Sequence, residues 1–161
     1  MSDSPKAVTG PALAIVGAAA LLGSTLLRWF SVLVAYPTDQ FLYDFGVLAL
    51  GRRTLHSYML VGWAFEALTV LAGVAALVAA VYAGGLARPT QAAAALIGCG
   101  AGALALVVVA SIAFEVADPR SDSAAIGSDL RLGPGAVAAA LSAVLILAGG
   151  LLTRREVFDG R

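Results

Sequence analysis

Residues 58–82 read YMLVGWAFEALTVLAGVAALVAAVY and residues 90–114 read TQAAAALIGCGAGALALVVVASIAF, with only AGGLARP between them. As a helix, each stretch is long enough to cross a hydrocarbon core of about 30 Å, which takes about 20 residues. The first carries one charge, Glu66, and the second none. Inside a bilayer no water is present to satisfy the backbone, so a segment of this kind has to be helical. The alternating pattern of a transmembrane β-strand is absent from both. Gly84-Gly85 and Pro89 end one helix and admit the next, which makes the pair an antiparallel hairpin.

Two further spans lie outside this hairpin. One opens at Gly10-Pro11, where proline in a first helical turn loses no needed hydrogen bond, and covers 11–33 with one late charge, Arg28. The other opens at Gly133-Pro134-Gly135, covers 134–152 and is closed by Thr153-Arg154-Arg155. Lys6 ahead of an apolar run has the look of a signal peptide, but the run is longer than an h-region and three more spans follow, so cleavage is not expected. Ser57 is the expected N-cap of the second span. The expected fold is all-α: a single domain over 1–161 forming a four-helix transmembrane bundle with spans 11–33, 58–82, 90–114 and 134–152.

Composition agrees. The chain is 60% hydrophobic and 12% charged, and its mean hydropathy is +0.92. Soluble domains carry about 25% charged residues. Net charge is zero and no basic stretch could track a phosphate backbone, which argues against nucleic-acid binding. Cys99 is the sole cysteine, so an intrachain disulfide is impossible, and its apolar setting reads as packing. Arginine supplies nine of the ten basic residues, a bias that suggests a GC-rich bacterial genome.

The connections 35–57 and 115–132 fall on one side, opposite the termini and the tight turn. Basic residues divide evenly between the sides, but Arg88, Arg154 and Arg155 directly abut spans, where the positive-inside effect is strong. Both termini are therefore expected in the cytoplasm, with the two connections forming an extracytoplasmic cap. In the first, Phe41, Leu42, Phe45, Leu48 and Ala49 recur at helical spacing, with Thr38 or Asp39 as cap and Gly51 as stop. That pattern predicts a short interfacial helix, with a two-stranded hairpin as the alternative. The second holds Asp118-Pro119-Arg120-Ser121-Asp122-Ser123 and Gly127-Ser128-Asp129 and reads as a solvated loop. Its acids Glu115, Asp118, Asp122 and Asp129 do not have the spacing of an EF-hand, and no metal site is expected.

Glu66 lies about eight residues into its span, roughly 12 Å along the axis. A carboxylate at that depth pairs, protonates or faces a wet cavity. Arg28 approaches the same side, and an Arg28–Glu66 ion pair would satisfy both groups. Arg52, Arg53 and His56 could add positive character above it, so these five are the candidate binding residues. A structural ion pair competes with a pocket for a small anion, a lipid headgroup or a proton. Trp29, Phe30, Tyr36, Tyr58 and Trp63 gather at the same boundary and read as interfacial anchors, as does Tyr82 on the other side.

Small residues recur four apart in both helices of the hairpin: Ala72, Ala76, Ala80 and Gly84 in one, Ala94, Gly98 and Gly102 in the other. Such stripes let backbones approach closely, so the two are expected to face each other, with homo-oligomer contact as the alternative. No H-E-x-x-H, G-x-S-x-G or P-loop occurs, the single histidine cannot build a His-rich metal site, and no catalytic residues or cofactor are expected.

The chain resembles the small four-span membrane proteins of unassigned function found in high-GC Gram-positive bacteria. The resemblance rests on Arg28-Trp29-Phe30, Gly62-Trp63 with Phe65-Glu66, Asp118-Pro119, Arg131-Leu132-Gly133, Gly149-Gly150 and Arg154-Arg155-Glu156. In that pattern the tryptophan and glutamate are adjacent; here Ala64-Phe65 separate them. The resemblance implies the topology and no chemistry. The expectation is a non-enzymatic accessory or interaction subunit of a bacterial plasma membrane, its partners the bilayer and another membrane protein or a second copy. The alternative is a binding or transport component with a pocket around Arg28 and Glu66.

Overall fold

The computed structural model describes residues 9–35, 40–45, 56–85, 89–116 and 127–159, with side chains for 9–31, 64–84, 90–112 and 131–158. Four helices and three strands follow one another: α1 (Thr9–Ser24), β1 (Phe30–Ala35), β2 (Gln40–Phe45), α2 (His56–Gly85), α3 (Pro89–Val116), β3 (Gly127–Leu132) and α4 (Pro134–Asp159). Segments within α2, α3 and α4 are long and apolar enough to cross a membrane, whereas α1 is a shorter apolar helix.

The helices form a ring in which α1 packs on α2, α2 on α3, α3 on α4, and α4 closes back on α1. Most of the buried positions are alanine, with a few large side chains such as Leu21, Leu96 and Ile146 among them, while many large side chains point outward. Ala14, Ala18, Ala76, Ala80, Ala93, Ala110, Ala139 and Ala143 are completely buried, while Leu71, Val78, Val81, Leu141 and Leu151 are at least half exposed. Lipid offers leucine as good a home as protein does, so a membrane bundle gains most where small residues let backbones approach. The chain is an integral membrane protein of the all-α class.

Adjacent glycines on α4 serve two neighbours. A Cβ at Gly149 would lie 2.7 Å from the Gly10 carbonyl oxygen of α1, and one at Gly150 would lie 2.9 Å from the Ile97 nitrogen of α3. Around them, Gly17 closes on Ile146 and Gly100 on Leu147. Hydroxyls inside the bundle bond to their own helices: Ser142 Oγ donates to the Ala138 carbonyl and Thr153 Oγ1 to that of Gly149. Thr69 Oγ1 likewise donates to the carbonyl of Phe65. No hydroxyl in this group needs a ligand to satisfy it.

Several boundaries depart from the sequence reading. The first span is not helical through 33. Helix α1 stops at Ser24, and Thr25, Leu26 and Leu27 continue as tight turns that donate to the carbonyls of Leu22, Gly23 and Ser24. The hydroxyls of Ser24 and Thr25 bond back to Leu21 and Leu22, each at 2.6 Å, so the chain tightens before extending. Sixteen α-helical residues rise about 24 Å, and three more at about 2 Å each bring the segment to about 30 Å. Beyond the turns, the β-branched and aromatic run from Phe30 favours a strand over continued helix.

Across Gln40–Phe45 a strand stands where the interfacial helix was expected; Thr38, Asp39, Leu48 and Ala49 lie outside the described residues. Residues Gln40–Phe45 pair antiparallel with Phe30–Ala35, so the hairpin alternative holds; Gly51 lies outside the described residues. The second connection is not wholly loop either. Gly127–Leu132 pairs antiparallel with the other edge of β1, setting Asp129 in register with Leu33, and Glu115 belongs to the last turn of α3. Asp118 and Asp122 lie outside the described residues. The strand order is β2-β1-β3. Among the other ends, α2 already begins at His56, ahead of the proposed cap Ser57, and α4 runs through Thr153-Arg154-Arg155 to Asp159.

The two small-residue stripes do not face each other. On α2, Ala76 and Ala80 are buried and Ala72 is half-buried against the core, but Gly84 is exposed. On α3, Ala94, Gly98 and Gly102 all face outward, and a Cβ at either glycine would meet nothing within 4 Å. The side of α3 that packs inward carries Leu96, Gly100, Ala103, Val107 and Ala110. Every i, i+4 series of small residues looks alike in an alanine-rich helix, and only the packing of the larger Leu96 and Val107 selects the inner side.

Candidate functional site

The residues that distinguish this chain from a plain bundle meet at the end of α4 where the strands begin. The Trp29 indole Nε1 donates to the Ser24 carbonyl oxygen at 2.9 Å, folding the tryptophan back over the end of α1. The next two contacts run to α4: Gly133 N donates to the Trp29 carbonyl oxygen at 2.7 Å, and Gly135 N to that of Arg28 at 2.8 Å. The first N–H groups of a helix have no partner within it. Here backbone carbonyls of the α1–β1 junction serve that purpose beside Pro134, which has no N–H to satisfy. A Cβ at Gly133 would strike the Arg28 carbonyl oxygen, and one at Gly135 would strike Trp29 Cδ1.

Trp29 and Phe30 were expected as interfacial anchors; instead they are 7% and 1% exposed. The latch accounts for both. Folding the indole onto Ser24 carries it inside the ring, and the pairing of Phe30 with Leu132 and Phe45 begins the sheet immediately above. Leu132 remains 62% exposed and Tyr82, at the far end, 55%. Tyr36, Tyr58 and Trp63 lie outside the described side chains.

Of the five candidate binding residues, Arg28 and Glu66 are the two whose side chains are described. A Cβ at Gly73 would pack against Leu22, 2.8 Å away, which aligns α2 with α1. Glu66 lies seven residues from Gly73, about 10 Å up the axis. Arg28 is reached from Leu22 through the end of α1 and its tight turns, a similar rise. Glu66 is half-buried and Arg28 exposed, with the Arg28 carbonyl held by Gly135. His56 opens α2 about 15 Å beyond Glu66, too far to share its surroundings. Arg52 and Arg53 lie outside the described residues.

Among the described residues no group of three or more His, Cys, Asp or Glu side chains converges. Cys99 is half-buried against the core. Sequence reasoning took Gly133-Pro134-Gly135 as a helix start and missed its second role as the receiver of Arg28 and Trp29. The signal was present as glycine on both sides of proline, since a helix start alone requires neither.

These features define a helical membrane protein with a small strand cap latched to one end of its bundle. No family model matches the chain, and no curated protein matches it.

Proposed function

We propose that the chain crosses a bacterial plasma membrane four times with both termini cytoplasmic, and that it works without chemistry of its own as an accessory or interaction subunit. The observation that carries this reading is the β2-β1-β3 sheet, anchored to α4 through Gly133 and Gly135, in which β2 and β3 are both edges among the described residues. An edge strand presents unpaired backbone donors and acceptors, a surface that an extended segment of another protein can join. Strand β2, QFLYDF, has neither the lysine nor the proline that commonly blunts such an edge. The latch holds the cap in fixed register with the bundle, as a docking surface requires.

Affinity purification of the tagged chain in mild detergent tests this. A specific membrane protein should co-purify with the wild type and be lost from Tyr43→Pro, which removes a backbone donor from β2. A monodisperse monomer with nothing attached counts against the accessory role.

A second reading places a small anion, lipid or ion site around Arg28 and Glu66. It is favoured by the half-burial of Glu66, because a carboxylate among apolar neighbours is costly unless something answers it. Glu66→Gln would then weaken ligand retention while leaving partner capture intact.

A further inference from the structure

The lipid-facing side of α4 ends in charge. Val137, Leu141, Val144 and Leu151 are between 48% and 62% exposed and share one side of the helix. At about 100° per residue, Arg155 and Phe158 continue that same side and Arg154 lies at its margin. Both arginines are exposed, and Phe158 is 57% exposed. The Arg154 guanidinium carbon sits 5.8 Å from the centre of the Phe158 ring, so the side chain reaches along the helix toward its C-terminal end. The intervening acid turns inward: Glu156 is half-buried, and its Oε2 is enclosed without a hydrogen-bond partner among the described residues. Thr153 is also buried on that opposite side, against α1. Two exposed arginines and an exposed aromatic ring thus lie together about one turn beyond Leu151, at the end of the apolar stretch of α4.

We propose that Arg154 and Arg155 bind the phosphodiester headgroup of an anionic phospholipid, with Phe158 beside its glycerol backbone. Guanidinium groups form charge-assisted, often bidentate hydrogen bonds to phosphate oxygens. The site depends on the membrane setting of α4 and is independent of what the cap at the other end engages.

The test uses the full chain in nanodiscs of zwitterionic phosphatidylcholine with increasing phosphatidylglycerol, counting retained lipids by native mass spectrometry. The wild type should retain phosphatidylglycerol preferentially, and R154Q and R155Q should each lower that preference by about fivefold. R154K/R155K, which keeps both charges, should hold most of it. Arg131→Gln, a charge removed from the opposite end, should leave it unchanged, and inorganic phosphate should not compete. Equal retention by R154Q and R155Q overturns the proposal, as does an equal loss in R131Q. Displacement by inorganic phosphate would overturn it in favour of a free-anion site. Since a misfolded protein would lose lipid for trivial reasons, the lysine pair is decisive: retention as low as in the glutamine variants refutes a charge-based site.

Discussion

Gly135 donates its backbone N–H to the carbonyl oxygen of Arg28 at 2.8 Å, and this bond fixes where the strand cap stands on the bundle. It ties the start of the last helix to the residue at which the first segment turns from helix to strand. A side chain at residue 135 would collide with Trp29, whose own indole is committed to Ser24. The neighbour therefore cannot step aside without breaking a second bond.

Gly135→Ala should destabilise the protein although alanine is the better helix former. Overpacking a fitted site costs about 1–3 kcal/mol, more than the roughly 1 kcal/mol that alanine gains over glycine within a helix. Unfolding in mixed detergent micelles should show the loss, together with faster amide exchange at Gly133 and across β1 and β3. Unchanged stability would show that the Arg28 carbonyl is not held in this position.

Trp29→Phe keeps most of the buried ring and removes the indole donor. The Ser24 carbonyl still accepts from Leu27 N at 3.1 Å, so it is not left wholly unsatisfied. The expected cost is about 1 kcal/mol. Trp29→Ala, which also empties the space over Gly135, should cost about 3 kcal/mol or more. The difference between the two variants separates the hydrogen bond from the packing.

Long uncharged runs made α2 and α3 legible from the sequence, because bilayer thickness and backbone satisfaction leave little choice for segments such as 90–114. The end of α1 was not legible. Leu26, Leu27 and Leu33 continue an apolar run as well in a strand as in a helix, and the residues that end the helix, Ser24 and Thr25, act through bonds to their own turn. Pairing between β1 and β3 was hidden for another reason: the partners are about a hundred residues apart, and a polar stretch such as GSDLRL reads as loop until a strand lies beside it. At the candidate site, counting residues brought Arg28 and Glu66 toward the same end of their spans but gave no sign of the contacts made there. The latch of Arg28 and Trp29 to the start of α4 is made by backbone atoms, to which side-chain pattern gives no guide.

Gly149→Leu should be among the most damaging single changes in the chain. Residue 149 faces the Gly10 carbonyl and the Ala14 nitrogen at 2.7 and 2.8 Å, both backbone atoms of α1, so the two helices would have to separate. The expected loss is about 3 kcal/mol or more, accompanied by a lower yield of folded protein in detergent. Val137→Leu, on the outer side of the same helix, should be silent.

The outward glycines of α3 invert that logic. At Gly98 and Gly102 the structure places no atom within 4 Å of a new Cβ, whereas a helical glycine costs about 1 kcal/mol relative to alanine. Gly98→Ala and Gly102→Ala should therefore each stabilise the detergent-solubilised monomer by up to about 1 kcal/mol. Gly98→Leu should be tolerated equally well on steric grounds, because lipid or detergent yields where a protein backbone does not. Measured against Gly149→Leu in the same unfolding assay, Gly98→Leu isolates the role of position: the same substitution of leucine for a helical glycine is severe where α4 meets α1 and harmless where α3 meets only the surrounding solvent. A large loss from Gly98→Leu in the monomer would mean that another segment packs over this side of α3.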